Sequence, residues 1–188
     1  MRRAPKQLRA QHTIIAILDA ATLLLQRGGL QVVTTNHIAD LAGVSIGSVY
    51  QYFPDKLAIY QALHDRHVER IAGVVEKTLV VHADATPAAL VKALIEALVD
   101  AHVEDAAIGD ALATVPGGTR ALSDRLRNAF RLALAPHHGP AVLERALFVI
   151  PTMVEAFAHA VGHRGSRLSL AAAKQESVRA VLAYLETI

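Results

Sequence analysis

A run of small, polar and aromatic side chains between residues 47 and 52 could read the edges of DNA bases. Gly47 and Ser48 are small enough to let a helix backbone approach the floor of a groove. Ser48 and Gln51 can hydrogen-bond base edges, and a glutamine amide suits adenine in particular. Tyr50 and Tyr52 flank them and offer hydroxyls to phosphate oxygens and rings to thymine methyl groups.

Three further residues can extend this surface: Lys56 and Thr35 toward the phosphate backbone and Asn36 toward a base. Lys56 lies in the first turn of a predicted helix, where a cation opposes the helix dipole. That position is understandable if Lys56 and the N-terminal amides of its helix both address a phosphate, although a solvated surface lysine is the alternative. Thr35 and Asn36 begin an earlier helix and can add a phosphate contact and a base contact.

Two short predicted helices joined by a tight turn must position these side chains. Thr34 is the predicted N-cap of the first, Gly43 supplies the turn and Ser45 caps the second. Pro54 ends the second helix, and Asp55 caps a longer third one. The predicted inward positions are Ile38, Leu41, Ala42, Ile46, Val49, Phe53, Leu57, Tyr60, Leu63, Val68, Ile71, Val74 and Val75. This is the layout of a helix-turn-helix that enters a DNA groove.

The charge distribution fits a polyanionic partner at one end of the chain. The 188 residues carry a net charge of +2, yet residues 1–56 hold six basic and three acidic residues, a net charge of +3. The absence of cysteine excludes disulfides, thiolate zinc sites and cysteine nucleophiles. Because no run of about 18 uncharged apolar residues occurs, no membrane span is expected. We predict a soluble cytoplasmic protein with no membrane partner and no cofactor.

The remaining sequence has helical periodicity and no strand pattern, so the predicted fold class is all-α. A first helix is predicted from about residue 14 to Gly28, and later helices over about 88–106, 119–135, 140–163 and 168–187. The segment 141–161 is apolar on nearly every face and must be covered on all sides. A symmetric dimer, in which this helix and the last one pair with their copies, would cover it, and a central core helix is the alternative.

The C-terminal helices have an apolar interior with few polar side chains, which is typical of a pocket for an apolar or aromatic ligand. The candidate lining residues are Phe130, Met153 and Phe157, with His102 as a polar anchor. The same residue types at helical spacing are also ordinary core side chains.

Histidine pairs raise the question of a metal site. His159 with His163, and His64 with His67, have spacings at which two imidazoles can share a metal. Two imidazoles alone are not a site, so no metal is predicted. Glu155 beside His159 is the nearest arrangement to an acid–base pair, and it is a weak basis for a small helical enzyme.

Residues 34–57 resemble the N-terminal domain of the TetR (tetracycline repressor) family of transcriptional regulators. The matching segments are Thr34-Thr35, Ile38-Ala39, Ala42-Gly43-Val44-Ser45, Gly47-Ser48-Val49-Tyr50-Gln51-Tyr52-Phe53 and Lys56-Leu57. The resemblance covers about residues 10–70. It implies an all-helical homodimer that binds a palindromic operator, usually represses, and releases DNA when a small molecule binds the C-terminal domain.

The resemblance also assigns roles to single residues. Thr35, Tyr52 and Lys56 fall at positions that commonly contact phosphate. The positions that can meet bases are those of Asn36, Ser48, Tyr50 and Gln51. His37 departs from the pattern, because a longer basic side chain is frequent at its position.

We therefore expect three parts: a basic arm over residues 1–10, a helix-turn-helix domain over 11–56, and an effector-binding and dimerisation domain over 57–188. The start of the connecting helix, to about residue 70, goes with the helix-turn-helix domain, and the helix itself is expected to run to about His82. The expected function is that of a ligand-responsive, sequence-specific repressor, released from its double-stranded operator by a small apolar or aromatic effector. The alternatives are a small helical enzyme and a protein-binding dimerisation module that uses the C-terminal apolar helices.

Overall fold

The computed structural model describes residues 5–104, 108, 119–162 and 168–188, and the regular elements among them are all helical. The helices are α1 (Pro5–Gly28), a short 3-10 helix (Gly29–Gln31), α2 (Thr35–Ala42), α3 (Ile46–Tyr52), α4 (Lys56–Val81), α5 (Pro87–Glu104), α6 (Thr119–Leu134), α7 (Pro140–Gly162) and α8 (Leu170–Leu185). The predicted all-α fold class is confirmed.

The described residues divide into two compact units. Residues 5–66 and 108 belong to the N-terminal unit, and residues 67–104, 119–162 and 168–188 belong to the C-terminal unit. The helix α4 contributes its first residues to the N-terminal unit and the rest to the C-terminal unit.

One apolar core holds α1, α2, α3 and the start of α4 together. Ile17, Ala21 and Leu25 recur every fourth residue of α1, and each is at most 1% exposed. Ile38 of α2 and Val49 of α3 are fully buried in the same cluster. Burying one such aliphatic side chain contributes about 1.5–3 kcal/mol to the free energy of folding. This core therefore stabilises α2 and α3, which are too short to be stable through their own backbone hydrogen bonds.

Side-chain caps and one glycine set the helix boundaries, as predicted. Three side-chain oxygens each accept the backbone N–H of the residue three positions later: Thr34 from His37 at 3.1 Å, Ser45 from Ser48 at 3.0 Å and Asp55 from Ala58 at 2.8 Å. Gly43 has a φ of +66°, in the left-handed region that ends α2 and turns the chain into α3.

The first helix is longer than its sequence pattern indicates. Residues 5–10 of the predicted basic arm are helical, and α1 runs for 24 residues from Pro5. Proline is favoured at the first helical position because its missing amide hydrogen would have no partner there. By length and composition, residues 7–31 are also apolar enough to cross a membrane. A core helix passes the same test, and one face of α1 lies in the core of the N-terminal unit.

Three predicted inward positions are wrong. Leu41 is 41% exposed, Ile46 is 39% exposed and Leu57 is 47% exposed. Leu41 and Ile46 lie on helices of eight and seven residues, which bury only about one narrow face, already occupied by Ile38 and Val49. Leu57 lies in the first turn of the much longer α4. The surface around the turn is therefore more apolar than the periodicity predicts.

The C-terminal unit packs α5 against α6, α7 and α8, together with the later part of α4. Leu94, Ile95, Leu98 and Val99 of α5 are at most 1% exposed, so this helix is buried on adjacent faces. Phe130 of α6 is the largest fully buried side chain in this core. The predicted helices at 88–106, 119–135, 140–163 and 168–187 correspond to α5, α6, α7 and α8 within two residues at each described end.

Three charged residues of α4, within five positions of one another, form ion pairs with other helices. Arg66 pairs with Asp19 of α1 at 2.6 Å, Glu69 with Arg125 of α6 at 2.6 Å, and Arg70 with Glu104 of α5 at 3.2 Å. The hydrogen bonds that Arg125 donates hold the pKa of the Glu69 carboxyl below its usual value, and the same contact raises the pKa of Arg125.

Candidate nucleic-acid interface

The surface around the α2–α3 turn carries the residues predicted to read bases. Gln51 and Asn36 are exposed, and Gly47 is exposed in the first turn of α3. A Cβ atom at Gly47 would come no closer than 3.8 Å to the Ser45 hydroxyl, so the fold itself leaves room for alanine there. The small residue is therefore not required by packing within the chain.

The structure brings Thr35 and Tyr50 together from two different helices. The Thr35 Oγ1 and the Tyr50 hydroxyl lie 3.3 Å apart, within hydrogen-bond distance. The Tyr50 side chain is 52% exposed, which leaves most of its ring available to a ligand. A predicted phosphate-contacting residue and a predicted base-contacting residue thus form one continuous surface.

Ser48 is less free than the sequence pattern indicates. Its hydroxyl lies 2.8 Å from the Ser45 hydroxyl, and its backbone N–H donates to the same oxygen. Ser48 is half-buried as a result. The hydroxyl of Ser48 keeps acceptor capacity for a base edge, but its direction is set by the Ser45 cap.

Tyr52 and Lys56 lie on either side of the α3–α4 junction. The ring of Tyr52 is half-buried and packs against the N-terminal core. Lys56 is exposed and begins α4, with its Nζ 5.6 Å from the centre of the Tyr60 ring. A cation is unfavourable at a helix N-terminus by itself, so this position suits an anion that contacts both the ammonium and the helix amides.

The predicted effector residues lie in the C-terminal unit, where the described structure buries them wholly or in part. Phe130 is fully buried, and Met153 and Phe157 are half-buried against the same core. His102 is 6% exposed, and its Nδ1 donates to the Leu98 carbonyl oxygen at 2.8 Å. The cleft found in this unit is lined by other residues of α4 and α5.

The histidines and the acid–base candidate have ordinary structural partners where they are described. The His67 ring meets the His102 ring edge-on, with 6.0 Å between centroids. Glu155 accepts a hydrogen bond from the Ser123 hydroxyl at 3.1 Å. The His159 side chain and His163 lie outside the described residues. In the part of the chain that the structure describes, no three histidine or acidic side chains are grouped to hold a metal.

Comparison with protein families finds two matches that together span most of the chain. Residues 17–63 match the model of the bacterial regulatory proteins of the tetR family, and residues 86–185 match that of the tetracyclin repressor-like C-terminal domain.

Curated relatives match over less than half of the chain. The nucleoid occlusion factor SlmA of Actinobacillus pleuropneumoniae is 33% identical over 78 residues, which are 42% of this chain and 38% of SlmA. The transcriptional repressor KstR of Mycobacterium tuberculosis is 35% identical over 71 residues, 38% of this chain and 31% of KstR. The chain thus spans about a third of the length of these relatives.

Solved structures show the same fold over nearly the whole chain. A TetR-family transcriptional regulator from Streptomyces coelicolor superposes with a TM-score of 0.65 at 21% identity, covering 94% of this chain and 99% of that one. The protein RolR in complex with resorcinol superposes with a TM-score of 0.63 at 19% identity, covering 95% and 89%.

Proposed function

The chain belongs to the TetR family of bacterial regulatory proteins, and from this we propose that it is a sequence-specific DNA-binding transcriptional regulator. The observation that carries the proposal is the exposed surface formed by α2, α3 and the first turn of α4, on which Thr35 and Tyr50 share a hydrogen bond. The regulator acts as a repressor that a small effector releases from a palindromic operator. Members of the family are transcription regulators, and we propose no catalytic activity for this chain.

The phosphate contacts come from Lys56, Thr35 and Tyr52. Lys56 is exposed at the start of α4, so its ammonium can bind one phosphate together with the first-turn amides other than that of Ala58, which donates to Asp55. Thr35 presents its hydroxyl from the first residue of α2. Tyr52 anchors its ring in the core, which leaves the hydroxyl as the group available to DNA.

The base contacts come from α3 and the start of α2. Gln51 and Asn36 carry exposed amides that can bind adenine bidentately, and Tyr50 and Ser48 contribute hydroxyls. Ile46, exposed at the first residue of α3, adds an apolar contact suited to a thymine methyl group.

The homodimer forms through α7, with α8 beside it. One face of α7 lies in the core, whereas Phe148 on another face is 72% exposed. The residues on that outward face, at three- and four-residue spacing, are Ala141, Arg145, Phe148, Thr152, Ala156 and Ala160. A mostly small and apolar stripe of this kind suits a partner helix, and a two-fold dimer would match the two halves of a palindrome.

The protein acts in the cytoplasm, where its operator DNA is. Its effector binds to the C-terminal unit. The apolar composition of the unit favours an apolar or aromatic effector. The complex of RolR with resorcinol is one example of a fold neighbour with a small aromatic ligand.

The salt dependence of binding to a nonspecific duplex tests the proposal through its phosphate contacts. Fluorescence anisotropy over a potassium chloride series should give a linear fall of log K with log salt, because bound lysines release counterions. The Lys56→Gln variant should reduce the magnitude of the slope by about 1.

Lys92→Gln is the matched control, since Lys92 is an exposed lysine of α5 in the C-terminal unit. Its slope should equal that of the wild type. Salt-independent binding, or equal slopes for Lys56→Gln and the wild type, would contradict the assigned phosphate contact.

A further inference from the structure

A cleft of about 350 Å³ lies between the later parts of α4 and α5, within the C-terminal unit. Val74, Thr78 and Val81 face it from α4 at spacings of four and three residues, so they form one side of that helix. Ala97 and Ala101 face it from α5. The cleft exists because these two alanines are too small to fill the space opposite larger side chains.

The acidic residues at the cleft are neutralised by partners within the chain. The Asp100 carboxylate pairs with Lys174 of α8 at 2.5 Å, and the Glu104 carboxylate pairs with Arg70 of α4 at 3.2 Å. Arg70 also donates a hydrogen bond to the Ala101 carbonyl oxygen. These pairings leave little net negative charge on the α5 wall.

Lys77 on the opposite wall has no such compensation. It is exposed at the cleft, and in the described part of the chain no carboxylate forms an ion pair with its ammonium. His82 lies near the same end of α4 and adds no negative charge. The uncompensated charge of the cleft is therefore positive, whereas most of its remaining surface is aliphatic.

We propose that this cleft binds a small amphipathic anion, with an apolar body between Val74, Val81 and the two alanines, and a carboxylate or sulfonate paired with Lys77. This inference rests on the proposed function, because it names the effector class of the regulator. The volume falls in the range of small-molecule sites, whose walls are mainly apolar with a few polar groups that fix orientation. A neutral apolar molecule would leave Lys77 without a partner.

Two fluorescent probes of nearly the same shape separate the charge from the apolar body. One is 1-anilinonaphthalene-8-sulfonate, an anion, and the other is N-phenyl-1-naphthylamine, its uncharged counterpart. Titration of the full chain without DNA gives a dissociation constant for each probe. We expect Lys77→Gln to weaken binding of the anionic probe by about fivefold, the upper range for an exposed ion pair, and to leave the neutral probe unchanged.

Ala97→Phe tests the apolar body, because its ring would fill the cleft from the α5 side. It should weaken both probes by tenfold or more. Lys92→Gln, on the same helix as Ala97 but away from the cleft lining, should weaken neither. Thermal unfolding of each variant tests whether the fold is retained. If Ala97→Phe does not fold, Ala97→Leu replaces it as the variant that fills the cleft.

Unchanged binding of the anionic probe to Lys77→Gln would overturn the proposed ion pair, and unchanged binding of both probes to a folded filling variant would overturn the site. These measurements need no DNA. If the expected probe results are obtained but the protein binds no duplex, the proposed function fails while the cleft remains a binding site.

Discussion

Gly47 and Ser48 of α3 differ in how far packing within the chain explains the residue type at each position. Ser48 is held by the Ser45 cap, so part of its role is structural. Gly47 has open space around its Cβ position, and its φ is not in the left-handed region. Nothing in the described chain requires a glycine there, which is compatible with the proposed close approach of α3 to DNA.

Gly47→Ala should therefore separate stability from binding. Alanine in a helix is more favourable than glycine by up to about 1 kcal/mol, so the free energy of unfolding should stay equal or rise by about 0.5 kcal/mol. Affinity for operator DNA should fall, because the added methyl group meets the groove. Urea unfolding and anisotropy measure the two effects. An alanine variant with unchanged DNA affinity would place the close approach elsewhere on α3.

The hydrogen-bonding chemistry of a side chain predicted its exposure better than helical periodicity predicted which apolar side chains are buried. The hydrogen-bonding residues Asn36, Tyr50 and Gln51 are exposed, as expected, and Thr35 is half-buried. The hydrogen bond between Thr35 and Tyr50 joins two helices. Its formation depends on how α2 and α3 cross, so no spacing along the chain could predict it.

At the scale of elements, local signals fixed by one or two side chains were predictable. The caps at Thr34, Ser45 and Asp55 and the turn at Gly43 depend on local backbone geometry, and the structure contains all four. The inward faces were predicted only in part, because burial depends on neighbours distant in sequence. Ile38 and Val49 are buried as predicted, whereas Leu41, Ile46 and Leu57 are exposed. The cleft was not predicted for the same reason, since it depends on how α4 and α5 pack.

The ion pair between Glu69 and Arg125 makes the attachment of α4 to α6 sensitive to acid. Because the pKa of Glu69 is lowered in the folded protein, its contribution to stability is present above the unfolded pKa of about 4.3 and is lost as the pH falls through the folded value. Glu69→Gln should lower Tm at pH 7 and low salt, and the difference from the wild type should disappear at the acid end.

The pair is exposed on both sides, so the effect on Tm should be small and should shrink in high salt. Glu186→Gln is the control, since Glu186 is an exposed glutamate that follows α8. Equal pH profiles of Tm for Glu69→Gln and the wild type would show that the ion pair contributes nothing measurable.

For the whole molecule, the outward stripe of α7 is one of the apolar surfaces that a single chain leaves exposed. A phenylalanine that is 72% exposed beside small residues is costly in water and favourable between two copies. Phe157, by contrast, is half-buried against the core of its own chain. Phe148 is therefore the sharper position at which to test the dimer, because its replacement leaves the core intact.

Phe148→Glu should convert dimers to monomers in sedimentation velocity, because two carboxylates would be brought together and desolvated at the two-fold axis. Leu132→Glu is the matched control, since Leu132 is 59% exposed on α6 and lies outside the proposed interface. It should leave the dimer intact. A Phe148→Glu protein that remains dimeric would move the interface to other helices.

Selection of bound duplexes from a random DNA pool, followed by sequencing, tests the central claim most directly. A dimeric regulator should enrich a palindromic motif with two equal half-sites, and Gln51→Ala should relax the preference at the same position of each half-site. Gln175→Ala, an exposed glutamine of α8, should return the wild-type motif. No enriched motif at low salt would contradict the assignment of this chain as a sequence-specific DNA-binding regulator.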